Sequence, residues 1–140
     1  MKNPFCCEIV SGKGAIALLA LRLVAGPAFI LHGWPIIQNP FGWMGAGAPS
    51  WLQAMAAFAE FAGGMAILAG LLTQLAALGI SCVMLVAIFH VHIPKGDPFV
   101  GRGGSSWELA AVYLAIMIAL MLRGAGVISL DALVLGKRKS

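Results

Sequence analysis

The sequence predicts an all-α polytopic membrane protein, a four-transmembrane-helix antiparallel bundle. Three observations carry that expectation. Of 140 residues, 61% are hydrophobic and only 10% charged, against roughly 25% charged in a soluble domain. A chain this short has too much surface to be covered by so few charges, so lipid must solvate most of it. Four windows are apolar over about the length that crosses a bilayer. Between them lie connections rich in Gly, Pro and polar residues, which break helices. The length suits one domain, residues 1–140.

The predicted spans run over about 14–32, 51–72, 74–93 and 107–122. No cleaved signal is expected before the first, because the apolar run is too long and lacks a small-residue cleavage site. Pro35, Pro40 and Pro49 make a long helix over 33–50 improbable. The second and third spans meet at Thr73 and Gln74 and should form a tight hairpin. The 94–106 connection is polar and Gly-rich. Ser105 or Ser106 can cap the fourth helix, with Glu108 in its favourable first turn. Beyond Arg123 a Gly-rich turn ends that helix. The segment after it is too short to span and should lie at the interface, with Asp131 near Arg123 or the basic tail.

Four spans put both termini on one side. That side carries Lys2, Lys13, Arg123, Lys137, Arg138 and Lys139, and the other only Lys95 and Arg102. Basic residues favour the cytoplasm, so short cytoplasmic tails are expected, in a bacterial or archaeal cytoplasmic membrane. Trp34, Trp43, Trp51 and Trp107 then gather at the outer interface, where indole rings prefer to sit. The formal charge of +4 is not a dense basic stripe, which excludes nucleic-acid binding. Cys6 and Cys7 are adjacent and Cys82 lies mid-span. This is no C-x-x-C framework, so Cys6 and Cys7 read as ordinary juxtamembrane thiols. Met55, Met65, Met84, Met117 and Met121 read as lipid-facing or packing residues.

Ionisable side chains inside a span cost at least about 2.5–3.5 kcal/mol each on insertion scales, so they are normally paired or functional. Two lie deep, Arg22 and Glu60. Counted from the outer helix ends, both sit roughly 14–15 Å inward, which predicts an Arg22–Glu60 ion pair. Ala56, Ala59, Gly63, Ala66 and Gly70 form a small-residue stripe that admits a close neighbour. Such a pair either fixes helix packing or serves function.

A second layer gathers at the outer ends: His32, His90, His92 and Glu108. On a regular helix His90 and His92 diverge by about 200°, so only one faces the bundle unless the chain unwinds before Pro94. Imidazole and carboxylate together suit proton handling or hydrogen bonding to a polar headgroup. His32, His90, His92 and Glu108 are also weak metal candidates, since their spacing matches no zinc motif. The substrate-binding candidates are therefore Arg22, His32, Glu60, His90 and Glu108. No nucleophile–base arrangement emerges from the spacing, so catalytic residues stay unassigned.

The first span's LRLVAGPAFILHGW resembles the opening motif of the DoxX family. Glu60-x-x-Gly63-Gly64 leading to Gly70-Leu71-Leu72-Thr73, and the close Gly124-Ala125-Gly126-x-x-Ser129-Leu130-Asp131, are similar to that family too. The likeness runs from about residue 15 to 131. One departure is that no Lys follows three residues after His32-Gly33, where relatives often carry one. The resemblance implies a four-helix membrane protein, with some relatives linked to quinone reduction and others to thiol or oxidative-stress systems. A quinone is then the ligand to expect near Glu60 and His32. No flavin, haem or iron–sulfur motif is present, so electron transfer would need a partner. The expected partners are the lipid bilayer and other membrane subunits or further copies of the chain. A non-catalytic accessory subunit, or a small transporter or lipid-binding protein, are the competing readings.

Overall fold

The computed structural model describes residues 10–135. Cys6, Cys7 and the basic tail Lys137–Arg138–Lys139 lie outside them. Among the described residues are four main helices, α1 (Lys13–Ile37), α2 (Ser50–Ala69), α3 (Thr73–Val86) and α4 (Glu108–Arg123), with a short α5 (Leu130–Leu135). Helix α3 runs straight into a π-helical turn, Ala87–His92. The rods Lys13–Ile37, Ser50–Ala69 and Thr73–His92 are long and apolar enough to cross a membrane. Helix α4 has 16 residues, about 24 Å of rise, and is shorter than any of these three rods. The chain is an integral membrane protein, and its surface fits that. Leu31, Phe58, Met55, Leu75 and Val24 project outward, each more than 60% exposed, as lipid-facing residues do.

Helix α1 packs on α2, α2 on α3 and α3 on α4, with a lighter α1–α4 contact closing the bundle. The core gathers Ala25, Phe29, Ile67, Ala77, Ile80, Met84, Met117 and Leu120. Met84 and Met117 therefore pack inside, whereas Met55 and Met65 face out.

Glycine sets the α1–α2 contact. A Cβ on Gly33 would lie 2.5 Å from Phe61 N, one on Gly26 2.7 Å from Leu68 Cβ, and one on Gly64 2.7 Å from Ile30 N. Backbones this close need residues without a side chain. Of the small stripe read from the sequence, Gly63 faces Ile80 and Ala59 faces Gly79, both on α3, whereas the close α1 contact falls on Gly64, outside that stripe.

Helix α1 does not stop at His32. It continues through Pro35 to Ile37, with Pro27 and Pro35 both inside it. Transmembrane helices tolerate proline where neighbours satisfy the freed carbonyls. The facing pairs Gly26–Leu68, Ile30–Gly64 and Gly33–Phe61 then place Glu60 opposite residue 34, with Arg22 about 18 Å further along α1. The equal-depth count is overturned by that shift in register.

The α2–α3 hairpin closes as expected, on a left-handed Gly70 (φ 68°). Leu71 N donates to Ala66 O and Gly70 N to Ile67 O, the paired bonds of a Schellman ending. The carboxylate of Asp131 then accepts from Leu72 N at 2.7 Å and Thr73 N at 3.0 Å. Asp131 is thus the N-terminal cap of α3, where the helix dipole favours an anion, instead of a partner for Arg123. Ser105 and Ser106 do not cap α4. Its first turn starts from Trp107 without a side-chain cap, and Ser105 bonds Asp97 instead.

Candidate functional site

The two buried charges have separate roles. Arg22 is only 2% exposed and makes four hydrogen bonds to backbone carbonyls. Its Nε donates to Ile67 O (2.9 Å) and Nη2 to Leu68 O (2.9 Å), while Nη1 donates to Ala125 O (3.1 Å) and Ile128 O (2.6 Å). The first two are carbonyls in the last turn of α2, of which Ile67 O also accepts from Gly70 N, and there a cation meets the negative end of the helix dipole. The other two belong to the turn after α4. Arg22 therefore stitches three segments at the end of the bundle that holds the α2–α3 hairpin. The predicted Arg22–Glu60 ion pair does not form, because the register holds the two groups apart and backbone oxygens occupy the guanidinium. Arg22 is accordingly not a residue of the cleft.

Glu60 lies halfway along α2 and opens into a cleft of about 300 Å³. Its polar lining is His32 from α1, Glu60 from α2, His92 from the π-helical turn, Ser106, and Tyr113 from α4. Its apolar lining includes Phe29, Met84 and Leu109. The Phe29 and Tyr113 rings meet edge-to-face, centroids 4.9 Å apart, a favoured aromatic geometry that stiffens one wall. Glu60 of the deep layer and His32 and His92 of the outer one thus share one cleft. His32 sits at Glu60's level because α1 extends beyond it.

Of the histidine pair, only His92 lines the cleft. His90 is exposed on the outside of the rod, as the divergence of neighbouring positions on a helix requires. The chain does not unwind before Pro94. It widens into a π-helix, a form often found at functional sites. Glu108 is exposed at the start of α4 and does not reach the cleft. His32, His90, His92 and Glu108 do not converge, and no group of three His, Cys, Asp or Glu side chains suited to a metal occurs among the described residues.

Sequence reasoning missed Tyr113 and Ser106 as cleft residues, and two supporting groups, Asp97 and Gln53. Asp97 accepts from His92 Nδ1 at 2.7 Å and from the Ser105 hydroxyl at 2.8 Å. The His92 hydrogen bond, then that of Ser105, holds the Asp97 carboxyl below its ordinary range. Its position five residues after His92 in a loop gave little warning. Gln53, 1% exposed, binds the 43–48 connection. Its Nε2 donates to Gly45 O and Ala48 O, and its Oε1 accepts from Met44 N. A lone polar residue one turn into an apolar span was its signal.

Among the described residues, Glu60, His32 and Tyr113 make no side-chain hydrogen bond. Glu60 and Tyr113 are half-buried and His32 is exposed, and ionisable side chains on membrane-spanning helices are normally paired or functional. The cleft therefore offers unused donors and acceptors between apolar walls, the usual make-up of a small-molecule site.

The DoxX family model matches residues 17–93. The chain belongs to the DoxX family. The matched stretch of this DoxX protein contains His32, Glu60 and His92 but stops short of Asp97, Ser106 and Tyr113. An uncharacterized protein of Haemophilus influenzae is 34% identical over 122 residues, covering 81% of this chain and 87% of its own. A Bacillus subtilis protein named "Putative oxidoreductase CatD" is 28% identical over 129 residues, covering 89% of this chain and 92% of its own. No solved structure matches significantly.

Proposed function

We propose that this DoxX protein is a redox-associated membrane subunit whose cleft binds the head of a quinone or a similar apolar ring. The observation that carries the reading is the set Glu60, His32, His92 and Tyr113, facing one cleft between Phe29, Met84 and Leu109. A quinone head presents two polar oxygens across a flat apolar ring, and the lining alternates in the same way. The oxidoreductase name of the Bacillus subtilis relative supports the same chemistry. Electrons come from a partner protein, because the sequence carries no motif for a resident redox group. Both termini face the cytoplasm, by the excess of basic residues on that side.

The accessory-subunit reading draws on Arg22, whose four bonds all go to the protein's own backbone. That arrangement is structural and requires no ligand. Extraction of the detergent-purified protein separates the readings. The quinone reading predicts a co-purifying quinone that Glu60→Gln loses while the protein stays folded. A wild-type protein that carries none, and is not saturated by an added one, overturns it.

A further inference from the structure

The His92–Asp97–Ser105 chain fixes more than a side-chain position. Asp97 is an acceptor from both neighbours, so the neutral His92 ring must carry its proton on Nδ1. His92 lines the cleft, and with Nδ1 engaged by Asp97 the ring nitrogen left for a ligand there is Nε2. Among the described residues Nε2 meets no protein donor. The cleft therefore presents a lone pair at this point, held in orientation by a carboxylate behind it, as in other oriented imidazoles.

From this we propose that the cleft selects the hydroxyl-bearing form of its aromatic ligand, a hydroquinone or phenol, over the carbonyl-bearing quinone, with His92 Nε2 accepting the hydroxyl proton in a hydrogen bond. The inference rests on the ligand reading above and adds which redox form the site holds. A carbonyl at the same point would set two lone pairs against each other, and a site built for a hydroxyl rejects an analogue lacking it. Asp97 is a positioning residue that acts through His92. The other groups facing His92 are Glu60 of α2, His32 of α1 and Tyr113 of α4 in the cleft, with Lys95 near Asp97 in the loop.

The test compares trimethylhydroquinone with trimethylbenzoquinone, titrated anaerobically into the full-length protein in mild detergent by calorimetry. ¹⁵N-histidine NMR of the same samples reads the His92 tautomer. Wild type is expected to bind the hydroquinone about tenfold more tightly, the worth of one hydrogen bond made rather than opposed. Its spectrum should show Nδ1–H and bare Nε2. In Asp97→Asn the amide can donate to Nδ1 and release the other tautomer. The preference should then fall to within about twofold, with Nε2–H appearing in the spectrum. Equal binding of both forms by wild type, or a wild-type Nε2–H tautomer, overturns the proposal. So does an Asp97→Asn protein that keeps the full preference. If that variant fails to fold, the wild-type ratio and spectrum still decide. If neither compound binds wild type, the ligand reading itself fails; binding without preference fails this inference alone.

Discussion

At the scale of single residues, Arg22 and Glu60 differ in what they are for. Arg22 satisfies four backbone carbonyls, so its removal leaves them short of partners in a water-poor site. Arg22→Ala is expected to destabilise the protein by more than about 3 kcal/mol. Arg22→Lys should rescue little, because an ammonium lacks the planar fork that reaches two segments at once. Glu60→Gln should leave the melting temperature nearly unchanged. Thermal melts of the two single variants and the double variant measure the coupling directly. Additive effects are predicted for groups this far apart; strong coupling would restore the ion pair. Gln53→Leu strands the Met44 amide and the Gly45 and Ala48 carbonyls. It should cost about 1–3 kcal/mol and expose the 43–48 connection to proteolysis. Asp97 has a lowered pKa, so its contribution to loop order is full above about pH 3.9, the unfolded carboxyl value. It is lost only as pH falls through the lower folded value. Trp107, at the end of that loop, packs against Phe99 with tilted rings, centroids 4.5 Å apart. Its fluorescence, read in a variant without the other three tryptophans, should hold steady down to pH 4 and change below it.

These residues also show what a sequence can and cannot reveal. Arg22 and Glu60 stand out because charges in apolar spans are rare. Their partners do not, because contact depends on helix register, and register here is set by Gly26, Gly33 and Gly64. A count from helix ends fails when one end is misplaced, and Pro35 disguised the end of α1. Asp97 was hidden for another reason. Loop carboxylates are common, and only folding brings this one to His92.

At the scale of elements, glycine and a single carboxylate hold the bundle's joints. Gly33→Ala and Gly64→Ala each force a methyl into the facing backbone, and each should lower the melting temperature sharply. Gly47→Ala meets nothing within 4 Å and serves as the control. At the hairpin, a side chain on Gly70 would collide with the Arg22 guanidinium and Ser129, so that turn and the Arg22 cluster stand or fall together. Asp131 joins α5 to the start of α3. Asp131→Ala should cost about 0.5–2 kcal/mol, the range for losing a helix cap, and should speed amide exchange at Leu72 and Thr73. The α2–α3 hairpin itself was legible from two adjoining apolar runs. The π-helical turn was not, since nothing in Ala87–His92 departs from ordinary helical composition.

At the scale of the whole molecule, the fold class followed from composition, because lipid solvation leaves helices or closed barrels as the spanning structures. The proposed function rests on one consequence of the helix register. Register carries Arg22 to the hairpin end and draws His32, Glu60, His92 and Tyr113 around one cleft. The measurement that tests this account most directly is photolabelling of the folded protein with an azido-quinone, followed by mapping of the modified peptides. The account predicts saturable labelling on the cleft-lining segments around Phe29, Met84 and Tyr113, competed by unlabelled quinol and abolished by Glu60→Gln. Labelling that is not competed, or that falls on the Arg22 end of the bundle, would contradict it.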